Sequence, residues 1–326
     1  MPQSIAAALA RALGSVLSPG GARGRLSILI YHRVLATPDA LLDGTIDAAK
    51  FEEQMALLAS GFNVLPLREA VERLVAGNLP ARAACVTFDD GYADNHDVAL
   101  PILKRLGVPA TFFVATGFLD GGRMWNDTVV EAIRRATKPA LELAEIGLGP
   151  FPLGSTAERR AAVHALLRAI KHRPPAERAA AVERIAATIG TPLPDGLMMT
   201  REKVRNLHAA GMEIGGHTVT HPILTRIPDE EAECEMADGK AVLEETIGGP
   251  VRLFAYPNGV PTKDFAPRHV ALAKRVGFSA AVTTSWGAAR SDSDVFQLPR
   301  FTPWDRQPAR FGARLLLNAR RPGIEI

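Results

Sequence analysis

The sequence predicts an α/β protein, a barrel of parallel strands carrying a helical insertion. Three observations carry this reading. Short apolar, β-branched runs alternate with helical patterns along most of the chain, and βαβα alternation implies parallel strands joined by crossover helices. The length of 326 residues accommodates one barrel of roughly 250 residues plus an insertion. Between residues 120 and 194 the alternation gives way to Ala- and Arg-rich helical sequence, broken at Pro174-Pro175 and from Pro192 to Pro194.

Taken in order, Ser27 to His32 reads as the first strand, Phe51 to Ser60 as a helix and Asn63 to Leu67 as a short strand. Arg68 to Ala76 is helical, Ala84 to Asp89 a strand, Asn95 to Leu106 a helix and Ala110 to Ala115 a strand. After the insertion come a helix at Val204 to Ala210, a strand at Glu213 to His217 and a helix at Asp229 to Thr246. The remaining candidates are strand Leu253 to Tyr256, helix Arg268 to Val276, and strands Ala280 to Thr284 and Val295 to Leu298. The expected organisation is an N-terminal helix over 1–25, a barrel over 26–305 with the insertion at 120–194, and a tail over 306–326. The insertion sits between two barrel units, and a lid or a dimer face is also open.

Composition narrows the function classes. Hydrophobic residues at 47% and charged residues at 22% are ordinary for a soluble globular chain, so a core forms without disulfides. Cys85, in the apolar run Ala83-Ala84-Cys85-Val86, reads as a small buried hydrophobe, and nothing marks Cys234 as a nucleophile. A net charge of +3 without a basic block interleaved with aromatics argues against nucleic acid. Arg11 interrupts the Ala- and Leu-rich start, and no basic region precedes it, so no signal peptide is read there. No stretch reaches the ~18 apolar residues that span a membrane. Ile5 to Leu17 suits an amphipathic helix, packed on the barrel or lying on a membrane surface. A cytoplasmic or peripherally membrane-associated protein is expected.

The strongest chemical signal is Val86-Thr87-Phe88-Asp89-Asp90-Gly91-Tyr92. An apolar strand ends there in two adjacent carboxylates and a glycine that permits a sharp turn. Consecutive strand side chains point in different directions, so one carboxylate can bind a cation while the other acts as a base. A plainer reading makes Asp90 or Asp94 the cap of the following helix. The second signal, Gly215-Gly216-His217-Thr218-Val219-Thr220-His221-Pro222, also ends a predicted strand. Two histidines four residues apart are a common metal-ligand spacing, and Pro222 steers His221 out of helical geometry into a loop. Two imidazoles and a carboxylate at strand ends of one barrel compose an open three-ligand site.

The pair Thr87-Phe88-Asp89-Asp90-Gly91 and His217-Thr218-Val219-Thr220-His221 resembles the first two motifs of the polysaccharide deacetylase family (NodB homology, carbohydrate esterase 4). Tyr31-His32-Arg33-Val34 and Phe254-Ala255-Tyr256-Pro257-Asn258-Gly259 support it, and the resemblance runs over residues 26–305 without most of the insertion. It implies a distorted (β/α) barrel of about seven parallel strands. It also implies a divalent cation on Asp90, His217 and His221, with Asp89 as base. Zinc suits this donor set, and cobalt or nickel fits it as well. The implied reaction removes N-acetyl groups from amino-sugar-containing poly- or oligosaccharides. The third motif's backbone N–H, an oxyanion donor in the family, maps onto Asn258, and Tyr256 and Pro257 fall beside it as substrate-binding candidates.

The sequence departs from the family pattern twice. No histidine follows His269, so the usual C-terminal acid is missing. His32, at the end of the first strand, is the substitute, because some members look circularly permuted and carry this histidine on an N-terminal Tyr-His strand. Where many relatives place an arginine that orients the base, this chain has Ala255; Arg300 is the candidate replacement and Arg252 its competitor. Trp125 and Asp127, in Met124-Trp125-Asn126-Asp127, are candidates to approach the sugar. Two alternatives remain: a deacylase of a lipid-linked or small amino sugar on the same scaffold, and a non-catalytic carbohydrate-binding relative.

Overall fold

The computed structural model describes residues 15–305 and 307–326. Seven strands follow one another around the molecule in chain order: β1 (Leu26–Tyr31), β2 (Ala83–Phe88), β3 (Ala110–Val114), β4 (Glu213–Gly216), β5 (Leu253–Ala255), β6 (Ala280–Trp286) and β7 (Leu298–Arg300). Every neighbouring pair is parallel. The short strand Asn63–Val64 pairs with the start of β2. Past β7 the chain returns to β1: Phe301 N–H donates to Ile28 O at 2.7 Å, and Ile30 N–H donates to Phe301 O at 3.0 Å. The sheet is thereby a nearly closed barrel, the distorted (β/α) barrel expected.

Period-two alternation sorts the strand residues into two cores. Leu29, Val86, Phe112, Ile214 and Phe254 belong to an outer core. There they join side chains of α1 (Ala48–Gly61), such as Met55, of α3 (Leu100–Leu106) and of later helices. Ile28, Cys85, Phe113, Val282 and Leu298 form the inward core, joined by Leu67, Val71 and Leu74 of α2 (Leu67–Val75). Cys85 is fully buried there, as expected of a small hydrophobe, and burial pushes its thiol pKa up.

The insertion folds around an apolar cluster of its own. α4 (Trp125–Arg135), α5 (Thr156–Ile170) and α6 (Pro175–Ile189) bury Val129, Ile133, Leu166 and Ile185 together. Pro174-Pro175 starts α6, with Pro175 in the first turn, where a missing N–H costs nothing. Not foreseen was an antiparallel hairpin, Ala140–Leu143 with Leu148–Pro152; its strands are short and carry Pro150 and Pro152, which mask the alternation. Three further helices flank the barrel: α7 (Arg201–Ala209), α8 (Asp229–Ile247) and α9 (Pro267–Arg275).

Other differences from expectation have local causes. The last strand is Leu298–Arg300, not Val295 to Leu298, because Asp294 accepts from Phe296 N–H at 2.9 Å and folds residues 294–297 into a turn. The expected strand Asn63 to Leu67 stops at Val64, since Pro66 caps α2. The segment read as a tail contains α10 (Pro308–Asn318), whose Phe311 and Leu315 are buried. The helix expected near the N-terminus lies for the most part outside the described residues. Among the described residues no helix is long and apolar enough to cross a membrane.

Candidate active site and metal centre

The C-terminal ends of the strands meet at one rim, the end of a parallel barrel where loops build active sites. His32 follows β1, Asp89 and Asp90 follow β2, His217 follows β4, Asn258 lies just beyond β5, and Arg300 ends β7. A cavity of 270 Å³ at this rim is lined by His32, Asp89, Asp90, His217, His221 and Asn258. Four residues here hold positive φ without being glycine: Asp90 (78°), Thr218 (67°), His221 (55°) and Asn258 (60°). Backbone strain of this kind costs about 1–3 kcal/mol per residue and gathers at functional sites.

Asp90, His217 and His221 each offer one donor atom within 4.8 Å of the others. Asp90 Oδ1 lies 3.5 Å from His217 Nε2 and 3.4 Å from His221 Nε2. That oxygen is buried and accepts no hydrogen bond, which is costly for a carboxylate unless a cation joins it. His217 Nδ1 is 2.7 Å from the carbonyl of Ala255; a carbonyl only accepts, so Nδ1 carries a proton and Nε2 is the ring nitrogen turned to Asp90. This is the tautomer that ligates metal through Nε2. Burial drives the His221 imidazole down to about 3, against the pull of Asp90, so this ring presents a neutral nitrogen. The donor set therefore fits a divalent cation of the zinc type.

Beside these three, Asp89 is 2% exposed and Arg300 fully buried. Arg300 grips both carboxylate oxygens of Asp89, each at 2.7 Å. Two more of its donors go to Thr87 Oγ1 at 3.2 Å and to the Thr283 carbonyl at 2.8 Å. Burial alone would raise the Asp89 pKa, but Arg300 and then His217 outweigh it and hold the carboxyl below its usual range. Arg252, the competing candidate, is exposed on the approach to β5. The oxygen Asp89 Oδ2 lies 4.0 Å from His217 Nε2, so the two aspartates flank one space with different partners.

His32 is exposed on the cavity wall, its backbone held by Asn95, whose Nδ2 donates to the His32 carbonyl at 2.7 Å. Asn95 opens a π-helical turn, Asn95–Ala99, ahead of α3, where Pro101 lacks the N–H of a regular helix start. Asp94 is no side-chain cap: it pairs with Arg33 Nε at 2.8 Å and accepts from Val34 N–H at 3.1 Å, fastening the loop after β1. Asn258 lines the cavity, and its N–H has no partner among the described residues. Tyr256 and Pro257 do not face the cavity. Both are buried, and the Tyr256 ring stacks on Phe265 at 4.1 Å within the core, because strand alternation turns the residue after Ala255 outward.

The insertion supplies a wall. Trp125, Lys171 and Arg178 line the cavity, with the Arg178 guanidinium 5.3 Å from the Trp125 ring centre. Asp127 faces an adjoining chamber of 630 Å³ that His32 and Asp90 share. Its Oδ1 lies 3.3 Å from Tyr92 Oη while Oδ2 is buried without a partner. Burial raises its carboxyl to about 7, with Arg33 pulling the other way. Sequence reading missed Lys171 and Arg178, which are surface-like in an Arg-rich segment, and it missed Glu235 and Gly239 of α8. Glu235 accepts from the N–H groups of Val219 and Thr220, both at 2.8 Å, and so anchors the histidine loop. A glycine in mid-helix was the available signal, since it is unfavourable there without a packing reason.

The chain has relatives among known proteins. Residues 76–148 and 150–281 match the family model described as polysaccharide deacetylase. A Bacillus subtilis protein named as a putative polysaccharide deacetylase, YxkH, is 22% identical over 278 residues, covering 85% of this chain and 70% of its own length. Staphylococcus aureus poly-beta-1,6-N-acetyl-D-glucosamine N-deacetylase is 26% identical over 136 residues, 38% of this chain and 45% of the relative. Among solved structures, Streptococcus pyogenes deacetylase PplD in complex with acetate superposes with a TM-score of 0.61 at 20% identity, covering 92% of this chain and all of that one. IcaB from Ammonifex degensii gives 0.57 at 21% identity, over 93% and 99%; at such identities the likeness speaks for the fold. By the family match and the rim motifs together, this chain belongs to the polysaccharide deacetylase family.

Proposed function

We propose that the protein is a metal-dependent carbohydrate N-deacetylase that hydrolyses N-acetyl groups on amino sugars of a poly- or oligosaccharide. The observation that carries this is the buried, partnerless Asp90 Oδ1 set between two imidazole Nε2 atoms, next to a second carboxylate gripped by arginine. Asp90, His217 and His221 hold the cation, zinc being the best fit, with cobalt and nickel also matching the donors. When bound, such a cation supplies Lewis acidity toward the acetyl carbonyl and lowers the pKa of a water.

The chain's own groups supply the rest. Asp89, ionised and aimed by Arg300, takes the proton of the attacking water. The N–H of Asn258 donates to the oxyanion that develops on the acetyl oxygen. His32 protonates the departing nitrogen, so the amine leaves neutral and acetate is released. Trp125 and Asp127 meet the sugar. With base, acid and all three ligands present, a non-catalytic role finds no support in these residues. The Staphylococcus aureus relatives' substrate makes N-acetylated glucosamine polymers the first class to try.

Three variants separate the roles. His217→Ala is expected to lose the metal and all turnover. Asp89→Asn is expected to keep one metal per chain while kcat falls at least about 100-fold, the scale of a lost general base. His32→Gln should likewise retain metal with turnover depressed. Metal analysis beside an acetate assay reads all three, and metal loss in Asp89→Asn equal to that in His217→Ala would contradict the division of labour.

A further inference from the structure

Beyond the metal site, Trp304 and Trp286 stand side by side, ring centres 5.1 Å apart and planes inclined at 42°. Trp304 is 65% exposed. Single exposed hydrophobics are common and need no explanation, so the degree of exposure alone says little. Position is what distinguishes the pair. Trp304 borders the 630 Å³ chamber whose wall includes His32 and Asp90. Trp286 borders a separate groove of 390 Å³ against α10, together with Arg310, Arg314 and Leu317. The two rings therefore form a ridge joining two hollows, one of which begins at the catalytic groups.

The chemistry of the ridge suits a saccharide. Aromatic faces stack on the C–H faces of pyranose rings, and guanidinium groups donate to hydroxyls in several directions. The Trp286 ring is braced from behind by Phe301, with centres 5.8 Å apart, and the Arg321 guanidinium lies 5.9 Å from its centre. Arg314 is tied at 2.8 Å to Asp305, the residue after Trp304, which couples the ridge to α10. Two rings inclined to one another match successive units of a twisting chain better than one flat ligand. Exposed Trp, Leu and Arg also suit an anionic lipid surface, but that reading leaves the continuity with the catalytic chamber unexplained.

We propose that the substrate chain leaves the metal site over Trp304 and Trp286 into the groove on α10, so that the protein reads sugar units next to the one it deacetylates. This rests on the deacetylase reading. The test compares kcat/KM for acetate release from N-acetylated glucosamine disaccharide and hexasaccharide. Wild-type protein should favour the hexasaccharide by about tenfold or more, given the size of stacking contributions. Trp286→Ala and Trp304→Ala should bring the ratio toward one, and Trp286→Phe, which keeps a ring, should restore most of it. A wild-type ratio near one, or a ratio unmoved by Trp286→Ala, would overturn the track. So would loss of binding to phosphatidylglycerol vesicles in Trp286→Ala with the length ratio intact, which would assign the ridge to a membrane. Absence of acetate release at every length from metal-loaded protein would overturn the parent reading, and the track with it.

Discussion

At the scale of single residues, the site works by giving neighbouring acids different partners. Asp89 receives two charge-assisted hydrogen bonds from Arg300, and Asp90 receives none on Oδ1. The adjacent aspartates were legible from the strand-end motif. The gripping arginine was legible only as a choice between Arg300 and Arg252, because 211 residues separate Arg300 from Asp89 and local pattern does not say which remote side chain meets the strand end. Asp127 is a third case. Burial raises its carboxyl from 3.8 to about 7, so between those values the folded protein holds a proton that the unfolded chain has released. Stability therefore falls as pH rises through that window and stays reduced above it. Asp127→Asn keeps an acceptor for the Tyr92 hydroxyl and removes the ionisation. Its Tm should exceed that of wild type by about 2 °C or more at pH 8, with the gap narrowing at pH 5. An equal difference at both pH values would show that Asp127 does not titrate in this range.

At the scale of elements, the histidine loop is positioned by the helix that follows it. Glu235, one turn before Gly239 on α8, takes the Val219 and Thr220 N–H groups and the Thr220 hydroxyl, the last at 2.6 Å. Thr218 Oγ1 accepts from the His221 N–H at 3.1 Å. A Cβ on Gly239 would lie 2.9 Å from the Thr218 carbonyl carbon and oxygen, closer than real contacts allow. Helix and loop touch backbone to backbone, which helps hold Thr218 and His221 at positive φ. In an ordinary helix interior, Gly→Ala stabilises by about 1 kcal/mol. Here Gly239→Ala should do the reverse, lowering Tm and raising the zinc Kd about tenfold or more in a chelator competition. A higher Tm with unchanged Kd would remove α8 from the account. Long helices such as α8 and α1 were legible in the sequence to within a few residues. The hairpin at 140–152 and the true start of β7 were not, because prolines and an Asp294 turn overrode the apolar pattern.

At the scale of the whole molecule, the barrel brings to one rim groups that are remote along the chain, from His32 to Arg300. The rim was foreseeable because alternation implies parallel strands, and parallel strands place their C-terminal ends together. What the insertion does was less legible: a lid and a dimer face stayed open, and although Trp125 was a candidate to approach the sugar, Lys171 and Arg178, which line the cavity beside it, were not. Orientation of that kind depends on how α4 and α6 dock, which periodicity does not encode. The same holds for α10, which completes the groove beside Trp286 from a segment read as a tail. The central claim is that one cation at Asp90, His217 and His221 drives hydrolysis of N-acetylated sugars, and it is tested most directly by titrating metal-stripped protein with zinc while following acetate release from N-acetylated glucosamine oligomers. The account predicts that acetate release rises linearly with added zinc and saturates at one equivalent per chain. Full activity in metal-stripped protein, or no zinc bound at any concentration, would contradict it.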